Sequence, residues 1–285
     1  MGKIQALKTG ISLLWKAPKG KINSKMLGYV CPNGNINFAS ENAAFGYAKN
    51  CVIKTLKSEK PYERGFVIKD SAIIADIHGT ENNVNFSGID LTNATIIHGH
   101  PYNTPISLGD ALILIKHKMK KIVAFNNSGE YSSLTNIPFK KQKWHKLIPN
   151  SLLENFKNTY WINNLVQLKK VTDKVCDMTV SEMLRREPDM KTLKKEFQNL
   201  YENANEPLRK MINKWLKLKN KNLIVDTSEF PAEIRPVFDK MNEFELKSIP
   251  IESKYAHRLW FKHAKDFNLV YETNYSNDLI KSWNS

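Results

Sequence analysis

Between residues 40 and 135, two helix-like segments interrupt a series of apolar runs too short to be helices. This alternation narrows the chain to an α/β unit of roughly 100 residues, an ordinary domain size. Ser40 precedes a stretch in which Ala44, Tyr47, Ala48, Cys51, Val52 and Leu56 share one face at helical spacing. A serine placed there accepts a hydrogen bond from a first-turn N–H that lacks an intrahelical partner, so Ser40 is the expected N-cap. After Pro61 the texture changes, and the runs at 66–69, 73–77, 84–86 and 95–97 predict strands. Ser107 opens a second helix over 107–118, with Ala111, Leu112, Ile115 and Met119 as its apolar stripe. Runs at 122–125 and 131–134 predict a hairpin around Asn127-Ser128-Gly129.

The rest of the chain divides around this unit. Residues 1–25 read as a basic leader, and Asn33-Gly34 suggests a further hairpin within 26–38. The expected organisation is a leader over 1–25, an α/β metal-binding domain over 26–138 and a mostly helical region over 139–285. In that last region helical spacing recurs over 151–160, 180–186 and 190–218, and a final helix over 253–267 leads into Leu269-Val270-Tyr271-Glu272. The last ten residues are polar and read as frayed.

The chemistry concentrates in Ile96-Ile97-His98-Gly99-His100-Pro101 and Ser107-Leu108-Gly109-Asp110. Two histidines at i and i+2 at the end of a strand point to the same side of a sheet. Neutral imidazole is a good zinc ligand, and a helix starting at Ser107 directs Asp110 back toward the strand end. Three protein ligands leave one coordination position for water, which distinguishes catalytic from structural zinc. A carboxylate must then move the water proton, and Glu63, in Tyr62-Glu63-Arg64-Gly65-Phe66, is the candidate, with Glu81 as its rival. The Ser107 hydroxyl is placed to donate to a developing oxyanion. Taken singly, Asp110 is equally a first-turn helix carboxylate and Ser107 equally a plain cap. His78, His117, His257 and His263 read as incidental or packing residues, and Trp260 and Phe267 as core. The cysteine pairs of zinc deaminases and a helical His-Glu-x-x-His are both missing from the sequence.

The order Glu-x-Gly, His-x-His-Pro, Ser-x-x-Asp resembles the JAB/MPN (JAMM) family of zinc metalloproteases. The resemblance implies that His98, His100 and Asp110 bind Zn2+, that Glu63 is the base and that Ser107 assists. It also implies a cytidine-deaminase-like mixed sheet flanked by helices, and cleavage of a peptide or isopeptide bond in a protein substrate such as a ubiquitin-like conjugate. The stretch 101–106 between His100 and Ser107 is one residue shorter than in the family's common pattern. That shorter form is similar to JAB-like domains of phage head-morphogenesis proteins and polymorphic toxins, which implies a bacterial or phage-encoded protein. An alternative within the same resemblance is a non-catalytic scaffold with a basic partner-binding surface.

Charge leaves a third class open. Basic residues outnumber acidic ones 43 to 28, a formal +15. Such a field attracts nucleic acid, although the lysines are scattered and no base-reading motif accompanies them. Cys31, Cys51 and Cys176 lie far apart and form no metal or disulfide pattern, which fits a reducing cytoplasm. No run approaches the ~20 apolar residues of a membrane span. Lys8 and Lys16 interrupt the one apolar stretch near the start, against a secretory signal, while export as an effector stays an alternative.

Overall fold

A computed structural model describes residues 35–80, 83–137, 150–219 and 227–284. The basic leader, most of the hairpin expected over 26–38, and Glu81 lie outside the described residues.

The sheet contains β1 (Ile36–Asn37), β2 (Arg64–Lys69), β3 (Ala72–His78), β4 (Thr95–Gly99), β5 (Lys121–Phe125), β6 (Tyr131–Asn136) and β7 (Leu269–Thr273). Its spatial order is β1-β3-β2-β4-β5-β6-β7. Among the described residues, only the β4–β5 pair is parallel, and the helix α2 (Leu108–Lys116) makes that crossover. Asp70 and Ser71 join β2 to β3 with φ of 49° and 66°, the left-handed geometry of a tight two-residue hairpin.

Strand alternation sorts the apolar residues into two cores. The helix α1 (Glu41–Leu56) covers one face, where Ala44, Ala48, Val52 and Leu56 meet Phe66, Ile68, Ile97 and Val123. Ser40 caps it as expected, its hydroxyl accepting from Ala43 N–H at 3.2 Å. The other face takes Val67, Ile96, Ile122 and Leu134, packed against Leu108, Ala111, Leu114 and Ile115 of α2.

The helical region closes over this second face. It comprises α3 (Asn150–Arg186), α4 (Asp189–Asn203), α5 (Glu206–Lys219), α6 (Arg235–His263), a 3-10 turn (Ala264–Phe267), β7 and α7 (Asn277–Asn284). Leu168 and Val175 of α3 and Ala256 and Trp260 of α6 enter the same core as Ile96 and Leu108. Farther out, Phe197, Trp215, Phe230 and Phe238 form a separate cluster among α4, α5 and the start of α6. Among the described residues, no helix is long and apolar enough to cross a membrane.

The architecture expected from the sequence, a mixed sheet flanked by helices and followed by a helical region, is the one observed. Several local expectations change. Residues 84–86 form no strand. Val84 and Phe86 are buried all the same, filling the space over Gly65, where an added Cβ would meet Phe86 at 2.6 Å. The final helix begins at Arg235, not 253, and runs through Pro250. The last residues are helical, held by Trp283, whose ring lies 5.0 Å from those of Tyr275 and His257.

Candidate metal centre

The side chains of β4 divide by parity. Ile97 faces α1, and so does Gly99, where a Cβ would meet Leu56 at 3.0 Å. Ile96 and His98 therefore face α2. His100 continues that parity one step past the strand, fixed because its N–H donates to Phe125 O at 2.8 Å.

Asp110 arrives from the first turn of α2. Its N–H donates to Ser107 Oγ at 3.0 Å, and its Oδ2 accepts from the Ser107 N–H at 2.9 Å and hydroxyl at 2.7 Å. This reciprocal capping box satisfies helix-end donors and fixes the carboxylate at once. Asp110 Oδ1 lies 3.3 Å from His98 Nε2, and Oδ2 lies 3.6 Å from His100 Nε2. The two Nε2 atoms are 2.9 Å apart. One ligand atom from each residue lies within 4.8 Å of the others, and both histidines are buried.

The donor set fits a divalent cation. His100 Nδ1 is 3.0 Å from Thr104 O, a group that only accepts, so Nδ1 carries the proton and Nε2 presents its lone pair to the centre. Two imidazole lone pairs so close repel unless a proton or a cation lies between them and Asp110. Two nitrogens and one carboxylate oxygen suit zinc. The second nitrogen of a zinc-binding histidine usually has a partner. His100 has one in Thr104, whereas the buried Nδ1 of His98 has none among the described residues.

Electrostatics follow from burial. Burial opposes the Asp110 carboxylate, yet the charges of His98 and His100, with their hydrogen bonds, hold it well below the usual range. Burial alone would lower His100, but its hydrogen bond to Asp110 and the charges of Asp110 and Glu63 raise it overall.

Glu63 stands one residue before β2. Its N–H donates to Thr80 O at 2.7 Å and its C=O accepts from Gly79 N–H at 2.8 Å, which extends the β2–β3 pairing. It shares parity with Gly65, which pairs with His98 across β2–β4, so Glu63 comes to the same face as the histidines. Burial pushes its carboxyl up to about 8; Asp110 adds to this, while His100 and the Val84 N–H work against it.

The Ser107 hydroxyl is committed to Asp110. Its place in this arrangement is to orient a candidate ligand.

Several supporting residues carry no sequence signal. Ile106, just before Ser107, donates its N–H to Ser132 Oγ at 2.7 Å and accepts from Trp260 Nε1 at 3.1 Å. Tyr275 OH donates to Thr104 O at 2.8 Å, behind His100. Asn103, with φ of 55°, turns the chain inside the short 101–106 segment. Three other histidines have partners away from the centre: His78 meets Tyr62, His257 meets Tyr271, and His263 meets Asp266. Cys51 and Cys176 are free thiols.

Comparison of the chain with protein-family models, with curated proteins and with solved structures finds no match. The buried His98-His100-Asp110 triad has JAMM-like geometry, and the mixed sheet with flanking helices is consistent with a JAB/MPN-type architecture. The triad is able to coordinate a metal ion and is consistent with a metal-dependent hydrolytic site.

Proposed function

We propose that this protein is a zinc-dependent hydrolase acting on a peptide or isopeptide bond of a protein substrate. One observation carries the reading: three buried ligand atoms of a His-His-carboxylate set converge, and a further carboxylate, Glu63, stands on the same face. His98, His100 and Asp110 would hold the ion. Bound zinc supplies a Lewis acid that lowers the pKa of a coordinated water to about 7.

Glu63 accepts the water proton and returns it to the leaving nitrogen. Burial favours its protonated form, and the charge of a divalent cation acts in the opposite sense, restoring the carboxylate that a base requires. Ser107 holds Asp110 in position, and it reaches a developing oxyanion only by giving up that bond. A ubiquitin-like conjugate or a protein tail is the substrate class the JAMM resemblance favours.

The test compares zinc-loaded wild type with Glu63→Gln on peptides and on lysine-linked isopeptides. The variant should keep its zinc and lose about 10²–10⁴-fold in turnover. Zinc bound in both proteins with no cleavage by either contradicts the reading and favours a scaffold.

A further inference from the structure

The helical region brings one more carboxylate to this centre. Glu252, Ala256 and Trp260 recur every four residues on α6, so they lie along one side of the helix. That side faces the site: Ala256 and Trp260 are buried in the core with Ile106 and Leu108, and Trp260 bonds the Ile106 carbonyl. Tyr255 OH donates to Glu182 of α3 at 2.6 Å, and Lys254 pairs with the same carboxylate at 3.9 Å. These contacts fix the rotation of α6 and with it the direction of Glu252.

Glu252 lies close enough to Asp110 and His100 for both to act on it electrostatically. It is not one of the residues whose ligand atoms lie within 4.8 Å of one another. Glu252 is half-buried between Ile251 and Ser253, both of them buried. Among the described residues, its carboxylate forms no hydrogen bond and no ion pair, and His100 acts on it only through space. Burial, and then Asp110, push this carboxyl up to about 8, with His100 opposing. A half-buried acid facing a second acid destabilises a fold unless positive charge meets it.

We propose that Glu252 is an outer carboxylate of the metal centre, delivered by α6, which strengthens binding of a divalent cation without ligating it. The proposal rests on the metal reading above and extends the site into the helical region. A neighbouring carboxylate that does not touch the ion still attracts it through space, and groups behind the ligands set metal affinity. Asp110, Glu63 and Glu252 are three carboxylates near one dication, in a chain that is otherwise strongly basic.

The experiment measures zinc affinity by chelator competition, and thermal stability in excess chelator, for full-length wild type, Glu252→Gln and Glu252→Asp. Glu252→Gln should weaken zinc binding about tenfold. The same variant, free of metal at about pH 9, should melt at or above the wild-type temperature, because a destabilising charge is gone. Glu252→Asp keeps the charge and should retain most of the affinity. Unchanged affinity in Glu252→Gln overturns the proposal, and so does a joint loss of affinity and metal-free stability, which marks a packing role. If wild type binds no zinc, the metal reading falls as well; if it binds and Glu252→Gln binds equally, only this inference falls.

Discussion

The sheet region and the helical region meet the same centre in different ways. Residues 36–136 supply every proposed ligand and the proposed base, placed by strand parity and one helix cap. Residues 150–284 supply none of the ligands, yet they hold the backbone that carries them: Trp260 bonds Ile106, Tyr275 bonds Thr104, and β7 completes the sheet beside β6. The first contribution is local in sequence. The second spans 154 positions for Trp260 and 171 for Tyr275. The helical region is itself uneven, since the Trp215–Phe238 cluster lies outside the core beneath the site. Packing and site support therefore separate within one region, and substitutions distinguish them.

Two large-to-small changes give the largest effect. Trp260→Ala and Phe238→Ala each remove a fully buried ring and should each lose about 3–5 kcal/mol in denaturant unfolding. Only Trp260→Ala should also weaken zinc binding, roughly tenfold or more, because Ile106 loses its anchor next to Ser107. Equal loss of zinc affinity in both variants would erase the distinction between supporting and remote helices.

A pH series is the next largest. His100, Glu63 and Glu252 all have folded-state pKa values above their ordinary ones. Each therefore contributes stability that is complete below its unfolded pKa and is lost as pH rises through the folded value. For the two glutamates the loss runs from their ordinary value of 4.5 to about 8; for His100 it begins near its ordinary value of 6.5 and runs to about 9. Asp110 has the opposite sign and loses its contribution only in acid. Chelator-treated protein should melt several degrees lower (about 5 °C) at the alkaline end of this window, while zinc-loaded protein stays nearly level. Parallel curves for the two forms would show that the cation does not meet these groups.

The smallest change is Tyr275→Phe, which deletes one hydroxyl behind His100. It should cost about 1 kcal/mol of stability. Zinc affinity should fall roughly threefold, a shift smaller than that of Trp260→Ala. No change in affinity would confine the support of the helical region to α6.

What could be read from the sequence follows the same division. Ser40 and Ser107 mark their helices because capping is a property of adjacent residues. The grouping of His98, His100 and Asp110 was legible because a strand's period and a helix's first turn are fixed geometries. Glu252 left no trace: an acidic residue on a mixed helix face looks solvated until the neighbouring layer is known. Likewise 84–86 alternates as a strand does, yet Val84 and Phe86 pack over Gly65 and join no ladder. No strand was expected over Leu269–Thr273, whose partner, β6, lies far away in the sequence. Trp283 turns a polar tail into a packed helix through rings at Tyr275 and His257 that spacing alone does not reveal.

The central claim is that His98, His100 and Asp110 share one divalent ion. Elemental analysis of the purified full-length protein, beside His98→Ala/His100→Ala, tests it most directly. The account predicts about one zinc per chain in wild type and none in the double variant. Equal metal in both proteins, or none in either, would contradict it.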